Sequence, residues 1–80
     1  MERSEILNRM QGVVRTVFKN DSLQIEEDTE IQLIESWDSL LHMQLIVALE
    51  KEFGIKFKLA ELNRLTGVSS IIDVISSKFE

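Results

Sequence analysis

The chain contains no cysteine and no proline, and its 80 residues include a single histidine. Without cysteine, disulfide bonds and thiolate metal sites are excluded, and His42 cannot form a zinc site by itself. No segment approaches the roughly 18 consecutive apolar residues that a membrane span requires, and the first residues lack the basic and apolar stretches of a signal peptide. We therefore expect a soluble protein of the cytoplasm.

The length and the charge of the chain limit its function further. The 80 residues correspond to a single domain, residues 1–80, and a chain of this size buries only about 60 to 65% of its unfolded surface. Because little core is left for a deep catalytic cleft, a small carrier or adaptor is favoured over a self-contained enzyme. The formal net charge of −5 disfavours nucleic acids and anionic lipids as ligands and predicts partners with basic docking patches. We expect a monomer.

Hydrophobic periodicity predicts two long helices in the first two thirds of the chain. Apolar residues at helical spacing indicate an amphipathic helix from about Glu2 to Phe18. From Lys19 to Asp38 the periodicity fails, which predicts a long loop with four apolar anchors, Leu23, Ile25, Ile31 and Ile34. Loops of this length in compact domains are often functional. A second helix is expected from about Ser39 to Phe53, ended by Gly54.

The last third of the chain is expected to contain two further helices. Leu59, Leu62 and Leu65 indicate a short helix, and the apolar residues from Val68 to Phe79 indicate a final one. The segment Ile55-Lys56-Phe57 alternates like a brief strand but has no partner strand. The predicted fold is all-α: a four-helix bundle of three main helices and one short helix, with a long loop between helices 1 and 2.

The predicted second helix carries two apolar stripes, although a surface helix needs only one. The broader stripe, expected to face the core together with His42, consists of Leu41, Leu45, Ile46, Leu49 and Phe53. The narrower stripe lies roughly opposite and consists of Leu40, Met43 and Val47. Either the long loop covers the narrow stripe, or these residues contact a partner protein, with methionine supplying an adaptable contact.

The segment Trp37-Asp38-Ser39-Leu40 lies where the long loop meets the second helix. A serine there would expose its hydroxyl at the positive end of a helix, where an anionic group is stabilised. The alternative is that the serine only caps the helix, a contribution of about 1 kcal/mol. A catalytic pair with His42 is disfavoured, because that histidine is expected to face the core and no carboxylate is placed to orient it.

The run from Trp37 to Phe53 resembles the acyl carrier protein family, whose Asp-Ser-Leu motif receives a 4′-phosphopantetheine arm on its serine. The resemblance continues in the last helix, where Val68 to Ile75 is similar to the corresponding segment of carriers. It covers most of the chain and implies a four-helix, acyl-carrier-like bundle.

This resemblance implies roles for individual residues. Ser39 would carry the phosphopantetheine arm, and Asp38 would shape the motif and add negative charge for the modifying enzyme. In this family the helix after the modified serine is the recognition helix. The implied partner contacts come from Leu40, Met43, Val47 and Glu50.

The resemblance also implies a carrier without catalytic activity of its own. Acyl or aminoacyl groups would be held as thioesters on the arm, which comes from coenzyme A, and presented to biosynthetic enzymes. The implied partners are a phosphopantetheinyl transferase, an acyl- or aminoacyl-loading enzyme and downstream synthases. Fatty-acid synthase carriers usually have acidic residues where this chain has Leu41 and Gln44, which implies a recognition helix less anionic than theirs. Trp37 in place of a small residue before the motif is similar to specialised stand-alone carriers. The alternative is an unmodified adaptor that binds a partner through helix 2.

Overall fold

A computed structural model describes residues 1–80 and contains three α-helices. Helix α1 spans Arg3–Phe18, α2 spans Ser39–Phe53 and α3 spans Val68–Ser77. Two short 3₁₀-helices complete the structure, the first at Ile31–Leu33 and the second at Leu59–Arg64. The predicted all-α bundle, with a long loop between its first two main helices, is confirmed. None of the helices has the length and hydropathy that crossing a membrane requires.

The core consists of 15 buried residues, all of them apolar. Helix α1 packs against both α2 and α3, and it contributes residues spaced four apart, which lie on one helix face. No polar or charged side chain is buried. The buried residues are Ile6, Met10, Val14, Ile25, Ile31, Leu45, Ile46, Leu49, Phe53, Leu65, Val68, Ile71, Ile72, Val74 and Ile75.

The ends of α2 follow directly from its sequence. Gly54 adopts a left-handed conformation with φ of 64°, and its N–H bonds the carbonyl of Glu50, so the helix stops after Phe53 as predicted. At the other end, Asp38 has extended backbone dihedrals, and its side chain accepts a hydrogen bond from the backbone N–H of Leu41. The boundaries Ser39–Phe53 therefore agree with the sequence prediction.

The long loop, residues 19–38, is fixed to both α1 and α3. The backbone N–H of Ile25 donates to the side chain of Gln11 at 2.7 Å, and Ile25 and Ile31 are buried in the core. The N–H of Ile31 donates to the carbonyl of Thr66 at 3.0 Å, and the N–H of Val68 donates to the carbonyl of Thr29 at 2.9 Å. The loop also contains the first 3₁₀-helix, which periodicity did not reveal because three residues are too short to show a repeat.

The C-terminal third differs in detail from the sequence prediction. Residues 55–57 form no strand, and the one isolated β-bridge joins Glu30 to Gly67. The predicted short helix is the second 3₁₀-helix, in which Leu59 is exposed while Leu62 is half-buried. Placing Phe79 on the last helix was wrong, because α3 ends at Ser77 and Phe79 lies after it, partly exposed.

Candidate attachment site and docking face

Asp38, rather than Ser39, caps α2. Its Oδ1 accepts a hydrogen bond from the N–H of Leu41 at 2.7 Å, and its carbonyl accepts the first helical bond, from His42 at 2.9 Å. Ser39 is the first residue inside the helix. The interpretation of Ser39 as a helix cap is therefore wrong, and the stabilisation of about 1 kcal/mol typical of a cap belongs to Asp38.

The hydroxyl of Ser39 is accessible from solvent. Its side chain is exposed and makes no hydrogen bond within the protein. The backbone N–H groups of Ser39 and Leu40 precede the first helical bond and also have no acceptor in the protein. Two free donors and the positive end of the helix dipole favour an anion at this point. The residues present therefore fit a phosphodiester on the oxygen of Ser39.

Trp37 and His42 form a hydrogen-bonded pair beside this serine. The indole Nε1–H donates to Nδ1 of His42 at 3.1 Å, and the ring centroids lie 5.8 Å apart in an edge-to-face arrangement. Partial burial lowers the pKa of His42, and a hydrogen bond to the backbone of Leu65 opposes this shift. Because an indole N–H can only donate, Nδ1 must be an unprotonated acceptor and the imidazole is neutral.

This geometry disfavours a catalytic role for His42. Its Nδ1 is occupied by Trp37, no carboxylate bonds the ring, and no hydrogen bond joins it to Ser39. The placement of His42 on the inner side of α2 agrees with the sequence prediction. The bond to Trp37 was not predicted, although Trp37 and His42 are the N′ and N4 residues of α2, two positions that often contact each other at the start of a helix.

The backbone just before the motif is strained. Ser36 has φ of 77°, in the left-handed region that residues with a Cβ rarely adopt. The turn at Ser36 brings the chain into α2, since the next N–H, that of Trp37, bonds the carbonyl of Ile34 at 3.0 Å. Sequence patterns give no signal for this conformation at a serine.

The narrow stripe of α2 is exposed. Leu40, Met43 and Val47 retain 70%, 54% and 48% of their accessible surface. The alternative that the long loop covers them is wrong, because the loop packs toward α1 and α3 instead. Together with Gln44, Ala48 and Lys51 these residues form the docking face, defined here as the exposed side of α2.

The two acidic residues of α2 are both engaged within the protein. Glu50 is half-buried, and its Oε2 accepts a hydrogen bond from the backbone N–H of Phe57 at 2.9 Å. Glu52 forms an ion pair with Arg9, with 2.8 Å between Oε2 and Nε. Glu50, which the sequence suggested as a partner contact, thus also holds the segment that follows α2.

Comparison with known proteins identifies the class to which this bundle belongs. In this bundle α2 begins at Ser39, with one side in the core and an exposed apolar stripe on the other. Residues 8–75 match the family described as "Phosphopantetheine attachment site". The chain therefore belongs to the acyl carrier protein family, and it is an acyl carrier protein with a phosphopantetheine attachment domain.

Individual relatives agree with this assignment. The acyl carrier protein of Thermosynechococcus vestitus is 31% identical over 78 residues, which cover 98% of this chain and 96% of the relative. Polyketide-8 synthase acyl carrier protein 2 of Streptomyces avermitilis is 27% identical over 70 residues, covering 88% of this chain and 80% of the relative. The solution structure of a holo acyl carrier protein from Geobacter metallireducens superposes with a TM-score of 0.82 at 40% identity, covering 91% of this chain and 84% of that one.

These matches confirm the predicted family, the helical fold and the covalent phosphopantetheine cofactor. Proteins of this family are carriers that interact with phosphopantetheinyl transferases and biosynthetic enzymes.

Proposed function

We propose that Ser39 is the residue that carries the 4′-phosphopantetheine arm. The single observation that carries this assignment is a free, exposed hydroxyl at the first position of α2, next to two unbonded backbone N–H groups. The negative phosphodiester gains from these donors and from the helix dipole. The bound arm supplies a terminal thiol, which holds an acyl group as a thioester.

The neighbouring residues support this role without reacting. Asp38 fixes the start of α2 through its bond to Leu41 and thereby orients Ser39. Leu40, Met43 and Val47 offer apolar contacts to the enzymes that must reach the arm. Glu50 lies at the edge of the docking face and contributes a charge there. The protein itself catalyses no step; a monomer acting in the cytoplasm is the form we expect.

The unmodified adaptor is the weaker alternative, because membership of a phosphopantetheine-binding family favours modification. Carriage of acyl or aminoacyl groups in a specialised pathway is the proposed use, based on Trp37 in place of the usual small residue.

Modification of the purified protein tests the site. Incubation with coenzyme A and a broad-specificity phosphopantetheinyl transferase should increase the intact mass by one phosphopantetheine. Ser39→Ala should gain no mass while remaining folded, because Asp38 keeps the helix cap. Ser36→Ala, three residues earlier, is the matched control and should be modified like the parent protein.

Modification of the Ser39→Ala protein would show that the site is elsewhere. A parent protein that gains no mass would favour the adaptor.

A further inference from the structure

The acidic residues of this chain are concentrated away from the docking face. Seven of the 14 acidic residues lie in the long loop, between residues 19 and 38. Helix α2 has only Glu50 and Glu52, and both carboxylates bond groups within the protein. The net charge of −5 therefore does not describe the surface that a partner meets along α2.

The surface at the C-terminal end of the docking face, formed by the end of α2 and the segment that follows it, is basic. Lys51 and Lys56 are exposed, and together with Val47 they line a single surface depression. Neither lysine forms an ion pair or a side-chain hydrogen bond within the protein. Glu50 is the one carboxylate in the same depression, and its Oε2 accepts the N–H of Phe57. The depression thus contains two unpaired lysine ammonium groups and one carboxylate, which is already hydrogen-bonded within the protein.

An interface of ordinary size over the apolar stripe is large enough to include these lysines. Lys51 lies 12 residues after Ser39, about 18 Å along the helix at 1.5 Å per residue. Met43 and Val47 lie between them, and Val47 already lines the depression that contains both lysines. A standard interface covers about 800 Å² on each partner, which is enough to include this whole stretch.

We propose that the biosynthetic enzyme that docks on α2 presents carboxylate side chains opposite Lys51 and Lys56, beside an apolar recess for Met43 and Val47. Apolar contact supplies the affinity, and the opposite charges set orientation and partner choice. A basic docking surface is rejected at this end, because like charges in an interface are unfavourable. The proposal deepens the proposed function and rests on it, since it takes α2 as the docking face.

Two synthetic helical peptides test the charge preference. Both have the same apolar stripe, and the flanking positions are glutamate in the acidic peptide and lysine in the basic one. Each is titrated into isotope-labelled apo protein while the backbone amide signals are followed by NMR. The acidic peptide should shift the amides of Met43, Val47, Lys51 and Lys56 and bind this face at least fivefold more tightly than the basic peptide.

Charge reversal supplies the matched variants. The double substitution Lys51→Glu with Lys56→Glu should reverse the affinity order, so that the basic peptide binds this face more tightly than the acidic one. Lys19→Glu with Arg64→Glu changes the net charge by the same amount at residues outside the face, and it should leave the order unchanged. Circular dichroism checks that both variants keep the helical content of the parent.

Several outcomes would overturn the proposal. These are equal or tighter binding of the basic peptide at α2, no shift at α2 with either peptide, or concentration-dependent shifts of the same amides without peptide, which would identify a second copy of the chain as the occupant. The titration uses apo protein, so its result is separate from modification. Failure of Ser39 to accept the arm would defeat the proposed function while the measured charge preference stood.

Discussion

At the scale of single residues, Asp38 and Ser39 have different roles at the start of α2. Asp38 caps the helix and Ser39 keeps a free hydroxyl. If Ser39 capped the helix, its oxygen would be engaged with backbone N–H groups and less available to a modifying enzyme. The Asp-Ser order thus separates helix stability from reactivity.

His42 should make stability depend on pH just below neutrality. Its pKa is lowered in the folded protein by burial, so the unfolded chain binds a proton more readily. The stability contributed by the neutral ring is present above about pH 6.5, the ordinary histidine value, and is lost as the pH falls through the lower folded pKa. Urea unfolding at pH 7.5 and pH 5.5 measures this effect. The free energy of unfolding of the parent protein should be lower at pH 5.5 than at pH 7.5, and the difference should be smaller for His42→Gln.

The two carboxylates with lowered pKa values, Glu27 and Glu61, do not contribute to the stability change between pH 7.5 and pH 5.5. The pKa values of Glu27 and Glu61 are lowered by their hydrogen bonds to Arg3 and Lys78, so their contributions are lost only below the ordinary glutamate range. His42→Gln should also be modified by the transferase at a rate within a few-fold of the parent. Equal pH dependence in the two proteins would show that His42 does not titrate as described.

Ser36→Gly should stabilise the protein. A left-handed residue with a Cβ costs roughly 1 to 2 kcal/mol, whereas glycine adopts φ of 77° freely but increases the entropy of the unfolded chain. The free energy of unfolding, measured with urea, should increase by about 0.5 to 1 kcal/mol. Ser36→Ala, which keeps the strain, should show no gain. A stabilised alanine variant or a destabilised glycine variant would contradict the strain argument.

At the scale of elements, α2 serves both the core and the surface. Its inner side buries Leu45, Ile46, Leu49 and Phe53, while Leu40, Met43 and Val47 stay exposed on the other side. Exposure of three apolar residues in one stripe lowers solubility and is typical of a helix that meets a partner.

Val47→Asp should weaken docking without unfolding the helix. Because Val47 is about half exposed, its replacement leaves the core intact. With the phosphopantetheinyl transferase as the docking partner, we expect the KM of Val47→Asp to be several-fold higher than that of the parent. Raising the salt concentration should increase the KM of the parent by less, because salt screens charges but leaves apolar contacts unaffected.

Gln44→Asp is the control for Val47→Asp, since it adds the same charge on the same face without removing an apolar side chain. Because Gln44 also lies on the docking face, its KM should rise, but less than that of Val47→Asp. A normal KM for Val47→Asp, combined with loss of modification at moderate salt, would show that charge rather than apolar contact dominates docking.

At the scale of the whole molecule, Arg3 joins three parts of the fold. Its guanidinium bonds Glu27 of the long loop at 2.7 Å, Asp73 of α3 at 2.6 Å and Ser69 at 3.2 Å. These hydrogen bonds raise the pKa of Arg3 and lower that of Glu27. The cluster holds the loop against the helices at the surface, where core packing does not reach.

Arg3→Met should lower the Tm by a few degrees at low salt. The difference from the parent should shrink at high salt, because the ion pairs are exposed and therefore screened. Arg64→Met removes an arginine that forms no ion pair and should leave the Tm nearly unchanged. Equal melting of the Arg3 and Arg64 variants would show that the cluster adds nothing to stability.

The sequence by itself determined the three main helices and the family. Helix boundaries follow from local signals, namely the 3.6-residue repeat and Gly54 at the end of α2, which act over one or two turns. The inner stripe of α2 follows from the same repeat for Leu45, Ile46, Leu49 and Phe53. Placing Leu41 on this stripe was wrong, because Leu41 is only half-buried and lies outside the core cluster at the start of the helix. The Asp-Ser-Leu motif and its following helix were sufficient to indicate an acyl carrier protein and its cofactor.

Only the tertiary structure decided which of the open alternatives holds. Whether Leu40, Met43 and Val47 are covered depends on where the long loop packs, and that is fixed by contacts such as Ile31 to Thr66, far apart in sequence. The engagement of Glu50 by Phe57 depends on how the chain turns after α2. Periodicity describes one segment at a time, whereas exposure and charge pairing depend on which segments meet.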